Sequence, residues 1–140
     1  MPVPDVDDLE WPLVNVRYAA RMTSDEAEEY HRRIGACLAR REVFAILADA
    51  RLAEVPSASE RMRMASFISQ TSDVSSRYVA GMALVVKTAA GRGVLTAVEW
   101  LYPPPFPLKA FATSEEARAW LLERLQEFDR ERPSARRGPS

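Results

Sequence analysis

The sequence predicts an α/β fold: a single domain in which a four- to five-stranded, mixed and mostly parallel sheet packs against helices. Two nearly continuous apolar runs, Val43–Asp49 and Val79–Val86, are typical of strands buried between layers. Amphipathic segments alternate with such runs, and two of these segments begin with capping-box patterns. Alternation of this kind favours parallel strands joined by right-handed crossovers.

The beginning of the chain holds the first strand and the first helix. Residues 1–10 are rich in Pro and Asp, and we expect them to be disordered. The segment Leu13–Tyr18 alternates between apolar and polar side chains, which indicates a strand. Thr23 and Glu26 are spaced as a capping box. The helix that follows has its apolar residues on one stripe: Ala27, Tyr30, Ile34, Cys37 and Leu38.

The middle of the chain repeats this order. Val43–Asp49 reads as a buried strand that ends in a carboxylate. Ser57 and Glu60 form a second capping-box pattern, so a second helix begins there. Val79–Val86 is the next strand, and its lack of polar residues places it near the centre of the sheet.

The last part of the chain completes the prediction. Gly91 and Gly93 open an amphipathic segment that continues to Leu101 and ends at a run of prolines. Leu108–Ala112 is the last predicted strand, and a final helix starts within 113–116. The domain is expected to span 11–128. Residues 129–140 are expected to be a disordered tail, because they are rich in Arg, Pro, Ser and Gly and have no apolar face.

Composition narrows the classes of function. The chain has 140 residues with 19 basic and 20 acidic side chains, and its net charge of −1 gives little attraction for nucleic acid. The single cysteine, Cys37, cannot form an internal disulfide, which suits a reducing cytoplasm. We expect no metal, no cofactor, no signal peptide and no membrane span.

Several residue patterns resemble a known family. The Asp49-tipped strand leads to a loop and a Ser-capped helix, the segment 93–101 is followed by a proline turn, and Phe111 precedes the segment 117–121. Together they resemble the SpoIIAA-like proteins, relatives of the STAS domain of anti-sigma-factor antagonists. The same architecture is similar to that of lipid-binding CRAL-TRIO domains. The resemblance covers about residues 11–126 and implies a bacterial, non-enzymatic switch or ligand-binding module.

The resemblance also implies a regulatory serine. In true antagonists, a strand ending in Asp leads to an Asp-Ser-Ser-Gly-like segment at the start of the next helix, where a partner kinase phosphorylates serine. Here Ser57 and Ser59 occupy that segment, although its leading Asp and closing Gly are absent. Ser57 is placed to cap the helix. Ser59 is therefore the first candidate phosphoacceptor and Ser57 the second, with a phosphate favoured by the helix dipole.

A second candidate site lies where the strand Val79–Val86 meets the following helix. Lys87, Thr88 and Arg92 combine with two glycines there, and they could hold a carboxylate or phosphate. An ordinary turn with exposed charges explains the same residues. Because ligands gather at the carboxyl ends of parallel strands, Asp49, Lys87 and Ser57 are expected at one edge of the sheet.

Large aromatic side chains offer a third kind of site. Trp100, Tyr102 and Trp120 are compatible with the core, with an apolar pocket or with a dimer interface. His31 stands beside the charged face of the first helix, and the spacing offers it no nucleophile, so we expect a solvated or peripheral side chain.

The leading functional hypothesis is a cytoplasmic regulatory module that binds a signalling protein or kinase, with homodimer formation as an option and serine phosphorylation as its gate. The alternative is a carrier or sensor of an apolar ligand or lipid. An enzyme ranks last, because no acid, base and nucleophile converge in the sequence.

Overall fold

Strands β3 (Phe44–Asp49) and β4 (Val79–Val85) are the centre of the sheet, as their apolar sequences predict. The computed structural model describes residues 5–18, 20–54, 57–93 and 104–131. Five strands lie in the order β1-β2-β3-β4-β5, where β1 is Asp5–Glu10, β2 is Leu13–Arg17 and β5 is Leu108–Phe111. The strand β1 pairs antiparallel with β2, and every later pair is parallel. The predicted mixed, mostly parallel sheet is confirmed.

Within the described residues, three long helices cover the two faces of this sheet. They are α1 (Ser24–Ala39), α2 (Ala58–Tyr78) and α3 (Ser114–Glu131). On one face, Ile34 and Leu38 of α1 and Phe67 of α2 pack on a cluster that includes Phe44 and Ile46. On the other face, the helix α3 packs on the central strands. The buried residues of this second cluster are Leu13, Ala45, Leu47, Ala83, Val85, Ala117 and Leu121.

The capping boxes fix where α1 and α2 begin. The Thr23 hydroxyl accepts from the amide of Glu26 at 3.1 Å, and the Glu26 carboxylate accepts from the amide of Thr23 at 2.8 Å. Ser57 and Glu60 exchange the same pair of hydrogen bonds at 3.2 and 2.8 Å. Both helices therefore satisfy exposed amides at their first turn, and both predicted start points are confirmed.

The expectation that residues 1–10 are disordered is wrong for Asp5–Glu10, which form the edge strand β1. Contacts from distant parts of the chain hold this strand in place. Trp11, directly after it, stacks on Phe44 with ring centroids 5.1 Å apart. The Arg40 guanidinium lies 3.6 Å from the centre of the Trp11 ring and also pairs with Asp8 at 3.1 Å. A cation over an indole ring and an aromatic stack are both favourable when water is partly excluded.

Two further boundaries differ from the prediction. The backbone of α3 is helical to Glu131, so the expected tail at 129–140 begins inside a helix. Of the predicted helix after β4, residues 89–93 are helical, and its continuation to Leu101 lies outside the described residues. The same holds for the tail at 132–140.

His31 lies in the seam between α1 and α2 rather than in open solvent. Its ring stacks on Phe67 with centroids 4.1 Å apart and planes inclined by 5°. Burial of the imidazole, with the nearby charge of Arg63, lowers the pKa of His31. The seam therefore favours the neutral ring.

Replacing Gly35 or Gly91 with alanine should change the free energy of unfolding in opposite directions. Gly35 is inside α1, and a methyl group added to it would lie more than 4 Å from every described residue beyond its own stretch of helix. A methyl group on Gly91 would lie 2.8 Å from Val86 Cγ1. We expect Gly35→Ala to raise the free energy of unfolding by about 0.5–1 kcal/mol through backbone entropy. Gly91→Ala should lower it by about 1–3 kcal/mol through overpacking. Urea unfolding of both variants checks this pair, and a stabilised Gly91→Ala would contradict the described turn.

The His31 seam predicts a pH dependence of stability. Because the folded state lowers the pKa of His31, the unfolded chain binds its proton first as the pH falls below about 6.5. The free energy of unfolding should therefore decrease from that pH down to the folded pKa. His31→Phe keeps the aromatic stack and should reduce the slope; what remains comes from carboxylates such as Glu29 and Asp49, whose pKa values the fold lowers. Urea unfolding between about pH 5 and 7 measures both proteins, and equal slopes would rule out His31 as the cause.

Candidate functional site

The carboxyl ends of β2, β3 and β4 lie side by side and form one edge of the sheet. Arg17 pairs in register with Asp49, and Asp49 pairs with Val85. The backbone continues this alignment past the strands, because the amide of Tyr18 donates to the carbonyl of Asp49 at 3.0 Å. The amide of Ala50 donates to the carbonyl of Val85 at 2.9 Å. The loops that leave these strands therefore start from a rigid line, which we call the carboxyl edge.

Asp49 is held by an arginine from the loop that follows it. The Arg51 guanidinium donates to both carboxylate oxygens of Asp49, at 2.9 and 2.7 Å, and the Arg51 amide donates to one of them at 3.1 Å. These bonds, led by those from the Arg51 side chain, lower the pKa of Asp49 below its usual value. The Asp49 carboxylate is therefore ionised at neutral pH, and the positive charge of Arg51 compensates its negative charge.

A cleft of about 310 Å³ opens at the carboxyl edge, on the side of the sheet that α3 covers. Leu47, on its floor, is 6% exposed and belongs to the core cluster under α3. Most of the lining residues carry polar or charged side chains. The lining residues are Asp7, Asn15, Val16, Arg17, Leu47, Asp49, Arg51, Ser114, Glu115 and Arg118. These charges give no support to a wholly apolar ligand in the cleft.

The candidate serines lie at the start of α2, on the opposite side of the sheet from the cleft. Ser57 is the N-cap of the helix, and its hydroxyl is engaged with the amide of Glu60. Ser59 is exposed in the first turn, and its hydroxyl lies 3.2 Å from that of Ser57. Asp49 lines the cleft, whereas Ser57 begins the helix on the other face of the sheet. That Asp49, Lys87 and Ser57 share one edge stays a prediction.

Ionic contacts join the beginning of α2 to the segment before α1. Arg21 lies 3.4 Å from a carboxylate oxygen of Glu60 and 3.7 Å from one of Glu54. Arg63 donates to the hydroxyl of Ser24 at 3.3 Å. Two arginines therefore stand close to the first turn of α2.

The turn after β4 uses its polar groups internally. The hydroxyl of Thr88 accepts from the amide of Gly91 at 3.0 Å, and Arg92 donates to the carbonyl of Val86 at 2.9 Å. Lys87 is exposed. Thr88 and Arg92 thus stabilise the turn, and anion binding by Lys87, Thr88 and Arg92 stays a prediction.

Among the aromatic candidates, Trp120 packs on the core. Its ring lies 5.6 Å from that of Phe111, and its outer edge is 3.4 Å from the position that a methyl group on Gly81 would take. It is partly buried against the cluster under α3. Trp100 and Tyr102 lie outside the described residues.

The described parts of the chain contain neither a cluster of metal ligands nor a membrane-spanning helix. No group of three His, Cys, Asp or Glu side chains is placed there to hold a metal ion. None of the helices found there is long and apolar enough to cross a membrane.

Sequence reasoning missed the cleft. It identified Asp49 but not Arg17, Arg51, Arg118 or Glu115, which come from a strand, a loop and a helix. A partial signal was present, because Arg17 ends a predicted strand and Arg51 directly follows the end of another. The position of α3 over these strand ends was not readable from local patterns.

Comparison with solved structures supports the fold. An uncharacterized protein of the DUF3478 family with a SpoIIAA-like fold, from Shewanella loihica PV-4, superposes with a TM-score of 0.67 at 12% identity, covering 85% of this chain and 92% of that one. An anti-sigma factor antagonist from Mycobacterium paratuberculosis gives a TM-score of 0.53 at 15% identity, covering 86% and 93%. These identities establish similarity of fold alone.

Sequence comparison assigns the family. No curated protein sequence matches the chain significantly. The SpoIIAA-like family model matches residues 13–122, which include β2 through the first half of α3. The chain therefore belongs to the SpoIIAA-like family.

Proposed function

We propose that this chain is a non-enzymatic regulatory module that binds a protein partner around the start of α2, and that phosphorylation of Ser59 weakens this binding. The observation that carries the proposal is the contrast between the two serines. Ser57 caps the helix with its hydroxyl, whereas Ser59 presents an exposed hydroxyl one turn before Arg63 and next to Glu60, which Arg21 contacts. The SpoIIAA-like family and the antagonist among its structural neighbours support a regulatory role.

The surface beside Ser59 carries an exposed apolar side chain on which a protein partner can pack. Met62, one turn after Ser59, is 73% exposed. Met64 and Ile68 are also exposed, at 42% and 37%, but they lie on another side of the helix, about 140° and 180° around its axis from Ser59. Methionine side chains adapt to different partners, and an exposed apolar residue on a rigid helix suits docking. We call Ser59 and Met62 the α2 surface.

A phosphate on Ser59 would change the charge of this surface. It adds nearly two negative charges at a helix N-terminus, which the helix dipole tolerates. Arg63 follows Ser59 by four residues, so it lies on the same side of the helix and can pair with the phosphate after leaving Ser24. The modification would therefore leave α2 folded while placing a hydrated anion beside Met62.

The two serines should differ in their effect on stability. Ser57→Ala removes an N-cap and should lower the free energy of unfolding by about 1 kcal/mol. Ser59→Ala removes an exposed hydroxyl and should change it by less than about 0.5 kcal/mol. Urea unfolding of both variants separates these roles, and equal losses would assign Ser59 a structural part.

Binding to the α2 surface should respond to charge at Ser59. We expect Ser59→Asp to reduce capture of a specific partner from native cell extract at least about tenfold, because it puts an anion at the docking surface. Ser69→Asp makes the same change further along α2, at another exposed serine, and is the matched control. Met62→Asp should also reduce capture, by disrupting the apolar contact. Unchanged capture by Ser59→Asp would refute the gate, and unchanged capture by Met62→Asp would refute the surface.

A further inference from the structure

The cleft under α3 contains charges that remain after its internal ion pairs are assigned. Arg51 neutralises Asp49 through a contact of 2.7 Å. Arg118 donates to both carboxylate oxygens of Glu10, at 3.1 and 3.3 Å. These two pairs leave Arg17, Asp7 and Glu115 as the lining charges that an outside group could meet.

Each of these three residues has capacity for a ligand. Arg17 stands in register between Asp5 and Asp49, and its charge acts on Asp49, but it makes no hydrogen bond or ion pair within 4 Å with any side chain that the structure describes. Asp7 uses one oxygen to accept from the amide of Leu9 at 2.8 Å, which leaves its second oxygen available. Glu115, in the first turn of α3, acts on the charge of Arg51 but makes no ion pair within 4 Å with any described residue.

We propose that this cleft binds a small diamino acid, with its carboxylate on Arg17 and its two ammonium groups facing Asp7 and Glu115. Guanidinium groups recognise carboxylates through two parallel hydrogen bonds, so Arg17 suits the anionic end. The two acids suit the two ammonium groups. The apolar part of the ligand lies over Leu47.

The size and the charge of the cleft favour such a ligand over a lipid, a simple anion or a simple cation. A volume of about 310 Å³ is at the lower limit of small-molecule sites and too small for a lipid chain with its headgroup. A simple anion would meet two unpaired carboxylates, and a simple cation would meet Arg17. One unpaired cation and two unpaired anions match a ligand with one carboxylate and two amino groups, such as lysine.

Amide-resolved NMR titration of the full chain tests the proposal. Lysine is the probe, and acetate and n-butylammonium present its two ends separately. We expect lysine to shift the amide resonances of Arg17, Leu47 and Ser114, with each half-ligand binding at least about tenfold more weakly. Equal binding of acetate would make this a simple anion site, and equal binding of n-butylammonium a simple cation site. Either result, or no shift with lysine, overturns the proposal.

Substitution locates the binding groups. Arg17→Gln should weaken lysine binding at least about tenfold. Arg41→Gln is the matched control, because Arg41 is an exposed arginine that precedes β3 at the other end of the sheet. Glu115→Gln, on the helix rather than in the sheet, should also weaken lysine binding while leaving acetate unaffected. Wild-type affinity in either Arg17→Gln or Glu115→Gln would overturn the assignment. If Arg17→Gln alters the fold, Glu115→Gln alone decides the test.

Discussion

Burial of β3 on both faces is the constraint on which the rest of the molecule depends. Five consecutive residues of this strand, 44–48, are buried, so neither face of the sheet can be left to water. Helices α1 and α2 cover one face and α3 covers the other. A strand of this kind has no polar side chain until it ends, and Asp49 is that end. The first charged group of the strand therefore emerges where the loops begin, and Arg51 neutralises it there.

The sequence predicted the features that depend on contacts between residues close together in the chain. The capping boxes at Thr23 and Ser57 are made by side chains three residues apart, so their geometry was readable from spacing. The apolar runs of β3 and β4 were readable for the same reason. The edge strand β1 was not, because its acidic sequence resembles a disordered segment. Its order depends on Arg40 and Phe44, which lie more than thirty residues from Asp8 and Trp11 respectively.

The candidate sites also differ in whether a local sequence pattern predicts them. The serine at the N-cap of α2 follows from a short motif, and so does the carboxylate at the end of β3. The cleft requires Arg17, Arg51 and Glu115 together, and these residues come from a strand, a loop and a helix. Only the tertiary arrangement decides which arginine is already paired. The charges that Arg17 and Glu115 offer to a ligand are therefore a property of the folded structure and not of any sequence pattern.

The two proposed surfaces lie on opposite faces of the sheet but share one segment of chain. Residues 50–54 leave β3, and within them Arg51 lines the cleft while Glu54 pairs with Arg21 near the start of α2. The amide of Glu54 donates to the carbonyl of Ala20 at 2.9 Å, so the loop is also fixed to the segment before α1. A ligand that moved Arg51 would therefore disturb residues 50–54 directly, including the contacts of Glu54 near the start of α2. The shortest covalent path from the cleft toward the α2 surface therefore begins in residues 50–54.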